Sequence, residues 1–148
     1  MKRTFGNFLA RLLSGGTTLT EVEFQLLQQL VGSLPSTLRL VVESQFSAYN
    51  LVQREIDGRA LNFYRKKGGQ ANNMEGLPLL DMTVEEAPLV RLTASIAGDT
   101  EPVHATLAAI KGRVFCMALS RRVRSNGIVT ISDVKQAWRS NFKYEMAS

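Results

Sequence analysis

The hydrophobic pattern of this chain changes period near residue 50, and that change constrains the fold more than any single motif. Before it, apolar residues recur at spacings of three and four, which gather them on one side of a helix. After it they alternate or run on continuously, as in strands. Phe5, Phe8, Leu9, Leu12 and Leu13 predict a first helix ended by Ser14-Gly15-Gly16. Thr20 and Glu23 have the spacing of a capping box, opening a second helix that buries Val22, Leu26, Leu27, Leu30 and Val31 and stops at Gly32. Pro35 introduces a third, with Leu38, Val41, Val42, Phe46 and Tyr49 inward.

Beyond the change, Leu51 to Ile56 and Arg59 to Arg65 flank Asp57-Gly58, a strong hairpin signal. A Gly-, Asn- and Gln-containing loop follows, and Leu77 to Val84 reads as an irregular or edge strand because of Pro78. Leu89 to Ala97 alternates, with Val90, Leu92, Ala94 and Ile96 inward and Arg91, Thr93 and Ser95 outward. Ile128 to Ile131 is a short strand, and Ser132 is placed to cap a last helix containing Val134, Ala137 and Trp138. Helices first, then strands, then one helix predicts an α+β fold. In it, N-terminal helices pack on a mostly antiparallel sheet of about five to six strands, with a C-terminal helix. The 148 residues fit a single domain, with residues 1–16 a candidate detachable amphipathic helix.

The stretch from Val103 to Arg124, a hairpin running into a basic cluster, holds the only histidine and the only cysteine. A two-residue turn at Lys111-Gly112 sets Ile110 opposite Arg113, Cys116 opposite Leu107 and His104 opposite Leu119. His104 and Cys116 then point to opposite sides of the sheet, which forbids a Cys/His dyad. A three-residue loop with a bulge would shift the pairing by one residue and reverse that conclusion.

Other chemical signatures fail on their donors. The tract Arg122 to Asp133 places arginines where an EF-hand needs carboxylates. Lys66-Lys67-Gly68-Gly69 has its lysines before the glycines, the reverse of a phosphate-binding loop. One cysteine excludes an internal disulfide and fits a reducing compartment. Lys2 and Arg3 resemble the start of a signal peptide, but Gly6, Asn7 and Arg11 interrupt the apolar core it would need, and no stretch approaches transmembrane length. The expectation is a cytoplasmic chain with no cofactor and no metal.

Charge is the positive signal. The net of +5 is uneven: residues 111–148 carry eight basic and two acidic groups, while residues 50–110 carry six and eight. Arg121, Arg122 and Arg124 close a strand, and Lys135, Arg139 and Lys143 recur every four residues on one stripe of the last helix, next to Trp138. Such a stripe costs a few tenths of a kcal/mol per pair unless an anion meets it. These six residues are the candidate partner-binding set of a non-catalytic interaction protein, antitoxin-like, immunity-like or adaptor-like, that recognises a partner protein partly through electrostatics.

Three alternatives accompany this reading. Nucleic acid could occupy the same basic segment, with Trp138, Phe142 or Tyr144 stacking on bases. The first helix, with Lys2, Arg3 and Arg11, could meet an anionic membrane surface. Finally, helices preceding a curved antiparallel sheet are similar in plan to the cone-shaped superfamily typified by nuclear transport factor 2. That resemblance implies an enclosed pocket serving an enzyme or small-ligand binder, with His104, Tyr64 or a carboxylate inside it.

Overall fold

A computed structural model describes residues 19–70 and 72–143; the predicted first helix and Tyr144 lie outside the described residues. Two helices precede the strands in the chain, α1 (Glu21–Gly32) and α2 (Ser36–Ala48). Six strands follow: β1 (Leu51–Arg54), β2 (Ala60–Tyr64), β3 (Glu86–Ile96), β4 (Val103–Ile110), β5 (Arg113–Leu119) and β6 (Val129–Lys135). They form one sheet in the order β1-β2-β5-β4-β3-β6, antiparallel at every pairing. The α+β architecture follows directly from the change of period.

The capping box forms as its spacing predicts. Thr20 Oγ1 accepts from Glu23 N at 3.2 Å, and Glu23 Oε1 accepts from Thr20 N at 2.9 Å. The apolar stripes of both helices cover one face of the sheet. Leu26, Leu27, Leu30 and Phe46 have no exposure at all, and each contributes about 1.5–3 kcal/mol by burial. Phe46 meets Tyr49 and Phe63 edge-on at centroid distances of 5.4 and 5.0 Å.

Polar side chains on this covered face tie helices to strands. Gln45, completely buried, donates from Nε2 to Pro78 O and Gly112 O at 3.0 and 2.9 Å, and its Oε1 accepts from Val114 N at 2.9 Å. Tyr49 Oη donates to Val114 O. Burial pushes the Tyr49 hydroxyl up to about 12, against the lowering effect of nearby Arg113. Gln25 spans Gly127 O and Val129 N in the same manner, and Gln136 reaches from beside Trp138 to Ser33 O. Glu23, almost wholly buried, accepts from both Nε and Nη2 of Arg54, and that hydrogen bonding raises the Arg54 pKa further.

The β4–β5 turn is the expected two-residue one. Lys111 and Gly112 both have positive φ, 49° and 86°, as a type I′ turn requires, and Ile110 faces Arg113. A register shift one step further along corrects the rest of the predicted pairing. Phe115 is the extra residue, so Cys116 faces Ala108 rather than Leu107, and Ser120 rather than Leu119 meets the backbone of His104. Strict alternation from Val114 would have turned Cys116 and Ala118 inward and Met117 and Leu119 out. The bulge buries the two larger side chains instead.

Two further expectations are corrected. Leu77 to Val84 forms no strand; Met82 makes a single bridge to Phe142, and the segment is held by bonds such as Thr83 N to Asn141 O. The predicted C-terminal helix is absent among the described residues. β6 continues through Ser132 to Lys135, and only a short 3-10 turn, Ala137–Ser140, follows. Ser132 is the extra residue of another bulge and donates to Thr93 O instead of capping a helix. Val129, Ile131 and Val134 are β-branched, and β3 offers them an edge to pair with.

Candidate functional site

Among the described residues no helix covers the other face of the sheet. Because paired residues share a face, the register lays its side chains out in rows across the strands. One row reads Lys135, Arg91, Thr106, Ala118, Ala60 and ends at Glu55, whose N–H donates to Ala60 O. A neighbouring row reads Asp133, Thr93, His104 and Ser120.

At the β6 end these rows enclose a groove of about 250 Å³ lined by Arg91, Thr93, His104, Thr106, Asp133 and Lys135. Thr93 Oγ1 and His104 Nδ1 lie 3.0 Å apart. Arg91 and Lys135 stand directly opposite each other, and neither has an ion pair among the described residues. Like charges so placed cost some tenths of a kcal/mol, which an anion lying between them would offset. The other end of the row is acidic. Glu55 and Asp57 line a wide, open depression of about 750 Å³ with Gln53 and Asn62, and Asn62 Nδ2 donates to Glu55 Oε1 at 3.4 Å.

Cys116 lies on this same face, between Ala108 and Asn62, and is the free cysteine of the chain. Burial, then the fields of Glu55 and Glu86, push its thiol up to about 11, so it is a poor nucleophile at neutral pH. His104 also lies on this face, contrary to the predicted register. It is nonetheless four residues along β4 from Ala108, the partner of Cys116, or about 13 Å. Distance rather than facing prevents a dyad. Among the described residues no three His, Cys, Asp or Glu side chains are grouped to hold a metal ion.

The structure places the six sequence-predicted residues in different settings. Arg121 donates to Asp99 Oδ2 at 3.1 Å and to the carbonyls of Glu101 and Pro102, while Arg124 lies 3.9 Å from Asp99 Oδ1 and donates to Ala97 O. These two arginines clasp the β3–β4 turn. Arg122 lies against Gly58, and the Arg139 guanidinium sits 4.9 Å over the Trp138 ring. Lys135 ends β6, and Lys143 donates its backbone N–H to Asp81 O, so the predicted stripe of Lys135, Arg139 and Lys143 does not exist. Of the six, Lys135 alone lines the open-face groove. Arg91, Asp133 and Glu55 were missed; the outward position of Arg91 in the alternating strand was the available signal.

Comparison with known proteins returns no matching family, no similar curated protein and no similar solved structure.

Proposed function

We propose that this chain is a non-catalytic protein-interaction domain of the cytoplasm, adaptor-like or immunity-like, that binds a partner protein through the open face of its sheet. One observation carries the reading. A six-stranded sheet is covered by helices on one face; the other, uncovered among the described residues, carries a row with the small Thr106, Ala118 and Ala60 in its middle and charge at its two ends. Proteins of this kind discriminate partners by such charge placement.

The pocket-enzyme alternative draws little support, because the helix-covered side is packed with unexposed side chains and His104 and Tyr64 sit on the opposite face. The nucleic-acid alternative has lost Arg121 and Arg124 to Asp99. No helix among the described residues is long and apolar enough to cross a membrane.

A photo-crosslinking residue at Thr106 or Ala118, compared with one at Leu40 on the exposed side of α2, tests the reading in cells. Discrete protein adducts from the two sheet positions are expected. Adducts equally abundant from Leu40, or absent from both sheet positions, would overturn it.

A further inference from the structure

We propose that the partner is a second copy of this chain, packed sheet to sheet through the open face about a two-fold axis that runs along the strands between β4 and β5. This rests on the open face being the interaction surface. The row from Lys135 to Glu55 is its own complement: two cations at the β6 end, Thr106, Ala118 and Ala60 between, and a carboxylate at the β1 end. Rotation about that axis reverses the row. Lys135 of one copy then lies over Glu55 of the other, and Thr106 over Ala118, each contact occurring twice as isologous symmetry demands. The alternative in-plane axis, across the strands and through this row, would stack Arg91 and Lys135 on their own copies and is disfavoured there by like charge.

Side-chain size fits the same arrangement. The middle of the face carries Ala60, Thr106, Ala108, Cys116 and Ala118 with Asn62 as its largest neighbour in those rows, a set that fits two sheets at the usual ~10 Å. Six strands ~4.8 Å apart and roughly seven residues long give a face on the order of 650 Å². That is a little under the ~800 Å² per partner of a standard interface, so charge register has to contribute. The unpaired state of Arg91 and Lys135 within one copy is also explained, since a second copy brings Glu55 to them.

Sedimentation equilibrium of the full chain, at micromolar to submillimolar concentration and low salt, is the test. A dimer of twice 16.4 kDa is expected. Lys135→Glu and Glu55→Lys should each weaken it at least tenfold, because each places like charges at both contacts. Mixing the two variants should restore a one-to-one heterodimer. At one of its contacts the two substituted side chains meet with opposite charge, and at the other the native pair survives. Restoration on mixing also shows that both variants fold. A chain monomeric throughout, or a dimer indifferent to both substitutions, would overturn the proposal. If monomers persist while Thr106 and Ala118 still crosslink to a different protein, self-association fails and the interaction reading stands.

Discussion

The two faces of the sheet solve the problem of polar groups in opposite ways. On the covered face, apart from the Glu23–Arg54 pair, the struts are neutral, and Gln45, Gln25 and Tyr49 each have their hydrogen bonds made within the chain, while buried Glu43 of α2 keeps one carboxylate oxygen, Oε2, without a partner among the described residues. On the open face Arg91 and Lys135 carry charge without an ion pair among the described residues. A buried polar group left unmade costs about 1–3 kcal/mol, whereas a solvated one costs little. Stability therefore accumulates on one face, and the other is released to vary with whatever it meets.

Gln45→Leu should break this comparison most severely on the covered side. Leucine fills the space but leaves Val114 N, Pro78 O and one bond to Gly112 O without partners, and a loss of about 3 kcal/mol in urea unfolding is expected. Cys116 supplies a second measure, because it lies on the open face yet is buried. The unfolded chain releases its thiol proton near 9 and the folded chain near 11, so stability should fall as pH rises through that window. Below pH 9, iodoacetamide should label native Cys116 about 100-fold more slowly than the unfolded chain, as mass spectrometry would show.

A smaller effect is expected at the rim. Asp99→Ala removes the acceptor shared by Arg121 and Arg124 and should cost about 1 kcal/mol, read as a shift in the denaturant midpoint. Smallest of all, Arg91→Ala should change stability by less than about 0.5 kcal/mol, since it removes a solvated side chain and a like-charge neighbour. A loss above about 2 kcal/mol there would erase the distinction between the faces.

What could be read in advance depended on how local its cause was. β3 was legible because a half-buried strand writes its two faces into alternate residues, and α1 because Thr20 and Glu23 cap it across one turn. The bulge at Phe115 was not, since choosing Met117 over Cys116 for the core requires knowing what β4 and the helices leave room for. β6 misled for a related reason. Ser132 followed by a mixed polar segment reads as a capped helix until β3 offers an edge. The loss of that helix scattered the basic stripe and moved Lys135 beside Arg91, a neighbour that only strand pairing creates. Gln45 and Gln25 were passed over although each interrupts an apolar stripe, and a polar residue in such a place asks for a buried partner.

The Lys111–Gly112 turn has a bearing on how the chain could be cut and rejoined. Gly112 O accepts from both Leu80 N and Gln45, its N–H lies 3.2 Å from Met82 Sδ, and a Cβ there would come within 2.9 Å of Leu80 O. A hairpin tip is ordinarily where new termini or inserted sequence are tolerated. This one is instead the meeting point of a helix, a hairpin and a long loop, so a circular permutant opened there would lose all three attachments. Gly68 and Gly69, with open space around them, are the place to open the chain or graft a tag.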